Sequence, residues 1–147
     1  MTPPVMDIAA CQEKLALLAD LLIDLDRQDN PTADDLRTDR DRRHVTERIL
    51  TQLVDIAVGL NSLLLRGHGH RQPSSYRESF TRLSEAGIVP PDLASRLGLS
   101  TGMRNILTQG YAQIDLDLVA SAVPIAREDF GAYVRHVRDT LIAASED

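Results

Sequence analysis

Between Val5 and Arg27 the apolar residues Ile8, Leu15, Leu18, Leu22 and Leu25 recur at steps of three, four and seven. This spacing gathers side chains on one face of an α-helix. Gln28-Asp29-Asn30-Pro31 breaks the pattern, and residues 28–42 read as a charged connector in which Thr32 is placed to cap a short helical turn through Leu36. From Arg43 to Leu65, a broad stripe of Val45, Ile49, Leu50, Leu53, Ile56, Ala57, Leu60 and Leu64 predicts the longest helix and the axis of the core. Gly67-His68-Gly69-His70 with Pro73 predicts a flexible loop, after which Ser74 or Ser75 caps a helix whose Tyr76, Phe80 and Leu83 share a face until Gly87 stops it. Ile88 to Pro91 lead into a helix from Asp92 through Thr108, where Gly98 and Gly102 predict a kink or a close approach to a neighbouring helix. Asp115 or Asp117 caps a short helix from Leu116 to about Val123, and Pro124 separates it from a last amphipathic helix carrying Phe130, Val134, Val137 and Leu141.

No strand pattern competes with the helical one, and no internal repeat is present. The expectation is a single all-α domain over residues 1–147, an antiparallel bundle of about five helices with short turns. Composition narrows the core. With three Tyr, two Phe and no Trp, Leu, Ile, Val and Ala must fill it, and a chain of 147 residues is long enough to do so without disulfides or metals. Asp55 falls inside the longest apolar run, where a carboxylate is costly unless partnered, so it should meet an Arg, a backbone group or another subunit.

The net charge of −6 argues against a general nucleic-acid coat, which needs a concentrated positive surface. The basic residues are nevertheless clustered, at Arg37, Arg40, Arg42, Arg43 and Arg48 and again at Arg66, His68, His70 and Arg71. Either cluster could face RNA or an acidic partner. Alternatively, Asp34, Asp35, Asp39, Asp41 and Glu47 interleave with the first cluster and would make it a salt-bridged, solvated face. A lone Cys11, no apolar leader and no uncharged apolar run of spanning length give a cytoplasmic protein without a membrane span as the expectation. His68-Gly69-His70 lacks the further Cys or clustered ligands that zinc requires, so neither metal nor cofactor is expected.

The stretch Gly102-Met103-Arg104-Asn105-Ile106-Leu107-Thr108-Gln109-Gly110-Tyr111 closely resembles the signature of the HEPN superfamily. In that signature an Arg and a polar residue are followed by His, any residue and Tyr; here Gln109 occupies the His position. The sequence is similar to the HepT branch over a wider span, in Arg48 to Leu65 including Asp55, in Pro73 to Phe80, and in Leu83 to Pro91, so that about Arg43 to Leu141 is covered. The resemblance implies a HEPN-type bundle that forms a homodimer, with two active sites meeting at a cleft. It also implies metal-independent cleavage of tRNA or mRNA, and a type VII-like toxin–antitoxin module whose other half is a minimal nucleotidyltransferase. In that branch the partner adenylylates the motif tyrosine, which here is Tyr111.

The residues can be tested against that role. Arg104 is permanently charged and can grip two phosphate oxygens, which suits it to stabilise charge growing on a phosphate. Asn105 can hydrogen-bond substrate or orient neighbours. Gln109, one turn later, donates and accepts hydrogen bonds but has no pKa near neutrality and cannot act as acid or base. Losing that step removes roughly two to four powers of ten. Asp55, His68, His70 and Arg71 are further candidates for substrate or partner contact, the two histidines being able to supply the missing group only if their loop reaches across a dimer. On a continuing helix Arg104 and Tyr111 would lie on nearly one face about 10 Å apart. Two functions remain open: an impaired RNase toxin, and a non-catalytic HEPN partner or regulator of the nucleotidyltransferase.

Overall fold

The computed structural model describes residues 5–110 and 113–146. It contains six helices and, among the described residues, no strand: α1 Ile8–Arg27, α2 Ala33–Thr38, α3 Arg40–Gly67, α4 Tyr76–Glu85, α5 Pro91–Gln109 and α6 Leu116–Ser145. α3 touches all five other helices, α1 packs against α3 and α6, and α4 packs chiefly against α5.

Side-chain caps set most of the helix starts. Asp7 accepts the Ala10 amide at 3.0 Å, which begins α1 at Ile8 and not at Val5. In the connector, Thr32 and Asp35 bond each other's backbone amides at 3.1 and 2.9 Å, a capping box that turns the expected short turn into α2. Asp39 accepts the Arg42 amide at 3.0 Å and starts α3 three residues earlier than expected. Ser75, not Ser74, caps α4, and Asp115, not Asp117, caps α6. The stop after α4 is a left-handed backbone at Gly87, φ 77°, a conformation that glycine adopts without steric cost.

Pro124 corrects the sequence reading, for it lies inside one continuous α6 of 30 residues, which makes α6 longer than the 28-residue α3. An interior proline costs about 3 kcal/mol through its missing amide and its clash with the preceding turn. Val119 and Val123, in the turn before it, are both fully buried, and each is worth roughly 1.5–3 kcal/mol. Breaking the helix at Pro124 would turn those valines away from the core, so packing outweighs the local penalty.

α3 is long and apolar enough to span a bilayer by composition, yet 56% of that stretch is buried inside the bundle. It is the axis of the core, contributing Ile49, Leu50, Leu53, Val54, Ala57, Leu60, Leu64 and Leu65 to the interior. A polar chain threads this core. The Tyr133 hydroxyl donates to Asn61 Oδ1 at 2.5 Å and approaches the Ala57 carbonyl at 3.2 Å, Asn61 Nδ2 donates to Ser79 Oγ at 2.9 Å, and Ser79 Oγ donates to the Tyr76 carbonyl at 2.7 Å. Burial pushes the Tyr133 hydroxyl well above its ordinary pKa, so it stays a neutral donor. Within the first arginine cluster Arg37 pairs with Asp34, Arg43 Nε with Glu47 at 2.9 Å and Arg42 with Asp35 at 3.8 Å, while Arg40 and Arg48 make no salt bridge among the described residues.

Candidate functional site

The middle of α3, the first turn of α4 and the last two turns of α5 converge on Arg104. Its Nε donates to Asp55 Oδ1 at 2.9 Å, so the carboxylate embedded in the apolar run is partnered by the motif arginine 49 positions further along the chain. The pair is partly open, with 25% of the Arg104 side chain and 37% of the Asp55 side chain exposed. Asp55 engages Nε, and the terminal nitrogens of the guanidinium remain for other acceptors; Nη1 reaches Asn105 Oδ1 only at a long 3.5 Å. Arg104 Cζ also lies 5.3 Å from the centre of the Tyr76 ring, a cation–π contact that fixes the group from a second direction. A guanidinium held in this way meets a phosphate already oriented.

Gln109 is the last residue of α5 and is exposed, as is Asn105 one turn before it. Gly110 closes the helix by donating its amide to the Ile106 carbonyl at 2.7 Å. A Cβ at Gly110 would stand 2.6 Å from that carbonyl and 2.9 Å from Ile114 Cγ1, so only glycine fits the exit. α5 is described as far as Gln109, with Gly110 as its cap, and the one-face spacing expected for Arg104 and Tyr111 depends on a residue beyond it. Tyr111 itself lies outside the described residues.

The structure brings Asp55, Arg104 and Asn105 together, with Gln109 at the end of the same helix. His68 stands elsewhere. It caps α3, its Nδ1 donating to the Leu64 carbonyl at 2.9 Å, beside Met6, Thr140 and Ala144. Thirteen residues of helix separate it from Asp55, about 20 Å along the axis. His70 is half-buried and anchored through its amide to the Leu65 carbonyl at 2.8 Å, and Arg71 is exposed on the following loop. Within one protomer, neither histidine is brought to Arg104 by its helix or anchor. Among the described residues no group of three or more His, Cys, Asp or Glu is arranged to hold a metal.

Tyr76 is the site residue that sequence reasoning missed. Its spacing to Phe80 and Leu83 assigned it to the core face, but it is 39% exposed whereas Phe80 and Leu83 are fully buried. The available signal was its place directly after the capping Ser75, at the solvent end of the stripe, where an aromatic with a polar tip tends to sit. Of the two α5 glycines, Gly98 is a point of close approach: a Cβ there would lie 3.3 Å from Arg77 Cγ on α4, while Gly102 faces open space. On the other side of α5, Leu99, Met103, Leu118 and Ile125 rim an apolar groove of about 630 Å³ floored by Val54 and Phe130.

An all-helical bundle presenting an Arg-Asn helix end against a carboxylate from its central helix defines a HEPN-type domain. The chain belongs to the Ribonuclease HepT-like family, whose model matches residues 11–137. It is similar to a tRNA nuclease HepT of Aphanizomenon flos-aquae, 28% identical over 136 residues and covering 92% of each chain. It is also similar to an mRNA nuclease HepT of Shewanella oneidensis, 31% identical over 88 residues that make up 60% of this chain and 63% of that one. The solved structure of a tri-AMPylated Shewanella oneidensis HEPN toxin in complex with MNT antitoxin shares the fold, with a TM-score of 0.80 at 21% identity over 90% of this chain and 98% of the other.

Proposed function

We propose that this chain is the HepT-type toxin component of a toxin–antitoxin module, a metal-independent endoribonuclease acting on tRNA or mRNA whose proton-transfer step is impaired. The observation that carries the reading is the guanidinium of Arg104, held through Nε by Asp55 at 2.9 Å and through Nη1 only by a long 3.5 Å contact with Asn105, on a helix that ends in Gln109. In this reading Arg104 stabilises charge on the phosphate, Asn105 positions it, and Gln109 supplies hydrogen bonds without moving a proton. The relatives named as tRNA and mRNA nucleases support the substrate class.

A minimal nucleotidyltransferase is the proposed partner, by likeness to the Shewanella toxin solved with its MNT antitoxin, and Tyr111 is the proposed AMP acceptor. The proposed functional unit is a homodimer in the cytoplasm. Leu99 and Ile106 on α5 and Leu118 and Ile125 on α6 are exposed by 64, 43, 41 and 58%, apolar side chains that a second copy would cover. One observation favours a second reading, a non-catalytic partner or regulator of the nucleotidyltransferase: the motif histidine is replaced, and His68 lies about 20 Å along α3 from Asp55.

Incubating total tRNA and an mRNA transcript in EDTA with the purified chain, Gln109→His and Arg104→Ala separates these readings. Weak cleavage by the chain, lost in Arg104→Ala and raised roughly 10²- to 10⁴-fold in Gln109→His, is the expected result. Cleavage by Gln109→His alone supports the regulator, and cleavage that survives Arg104→Ala overturns the assigned site.

A further inference from the structure

Phe80, Phe130 and Tyr133 are at most 1% exposed, whereas Tyr76 keeps 39% of its surface open beside the motif arginine. An exposed, rigidly mounted ring next to a guanidinium is the pairing that single-stranded nucleic acid uses, since every base offers a π-face and every nucleotide a phosphate. Rigidity here has a visible source. The Tyr76 carbonyl accepts from Ser79 Oγ at 2.7 Å, and Ser79 is in turn bonded by the buried Asn61 at 2.9 Å, so the first turn of α4 is tied to the core. On the next residue, Arg77 lays its side chain across α5 at Gly98, where a Cβ would come within 3.3 Å of its Cγ. Among the described residues Arg77 has no salt-bridge partner. Arg104 on α5 thus lies against this open aromatic, and Arg77, the next residue after that aromatic on α4, packs on α5 at Gly98, six positions back from Arg104.

We propose that Tyr76, Arg77 and Arg104 form a seat for single-stranded RNA, in which one nucleobase stacks on the Tyr76 ring while the two arginines hold phosphates on either side of it. This rests on the RNA-directed reading above and adds the form of the substrate: the strand must be unpaired at the site. A duplex hides the faces of its bases and cannot be seated.

The test is fluorescence anisotropy of the full chain with a short labelled single-stranded RNA, and with the same RNA carrying one abasic nucleotide moved along it. The wild-type chain should lose affinity about 5- to 100-fold at one abasic position. Tyr76→Leu should bind the intact RNA weaker by a similar factor and be indifferent to the abasic site, while Tyr76→Phe retains both affinity and sensitivity. Arg77→Gln should flatten the dependence of log affinity on log salt by about one phosphate contact. An abasic penalty that persists in Tyr76→Leu, or that is absent at every position of the wild-type complex, overturns the seat while leaving the RNA reading intact, provided binding is lost in Arg104→Ala. Absence of RNA binding, or binding indifferent to Arg104→Ala, overturns both.

Discussion

Asp55 and Asn61 stand six residues apart on α3 and are both polar groups on the core helix, but their surroundings resolve them in opposite ways. Asn61 is fully buried and spends its amide on Tyr133 and Ser79, closing a network inside the bundle. Asp55 stays 37% exposed and meets Arg104, itself 25% exposed, through Nε alone. The first arrangement makes stability and specifies how α3, α4 and α6 meet. The second, in the proposed function, holds a charge for a ligand. A polar residue in an apolar stripe is therefore informative only when its partners are known to be used up or left over.

Substitutions at the two places should separate stability from activity. Asn61→Ala removes two buried hydrogen bonds and leaves a small cavity, so chemical denaturation should show a loss of about 3 kcal/mol. Asp55→Asn, made in the Gln109→His background, should lower single-turnover RNA cleavage roughly 10²-fold because Arg104 is no longer held in register, with stability changed by no more than about 1 kcal/mol for so open a pair. A stability loss at Asp55 as large as that at Asn61 would break the distinction. Tyr133→Phe leaves Asn61 Oδ1 without its donor and should cost about 2 kcal/mol, measured by the same denaturation.

The smallest effect concerns the support of Tyr76. Hydrogen bonds from Ser74 and then Arg82 hold the Glu78 carboxyl at about 2, below its ordinary 4.5. A carboxylate with a lowered folded-state pKa contributes stability in full above about pH 4.5 and loses it as pH falls towards 2. Glu78→Gln should therefore show a smaller drop in thermal midpoint between pH 5 and pH 2 than the wild-type chain. An identical drop in both would remove Glu78 from the support of α4.

Legibility in the sequence follows the range of the interaction. The core stripes of α1, α3 and α6 were readable because they depend on neighbours three and four residues away, although Val45, counted in the α3 stripe, is 46% exposed. Pro124 was misread because its local cost is visible in sequence and the burial of Val119 and Val123 that outweighs it is not. Within the 28–42 connector the Thr32 cap and a helical turn through Leu36 were legible from residue type, and the structure extends that turn to Thr38 as α2. At the site, the motif pointed to Arg104 and the apolar context pointed to a partner for Asp55, but that these two are each other's partner spans 49 residues. Tyr76 was assigned to the core face by its spacing to Phe80 and Leu83, and the one signal against that was its place directly after the capping Ser75.

In the proposed function Arg104 holds a phosphate and the site lacks a proton carrier at position 109. The most direct test is the single-turnover cleavage rate of Gln109→His against the wild-type chain in EDTA from pH 5 to pH 8. The variant should gain a rate roughly 10²- to 10⁴-fold higher, titrating in the range of a histidine, over a wild-type rate without that titration. Equal rates, or the same titration in both proteins, would contradict this reading and place the proton carrier elsewhere.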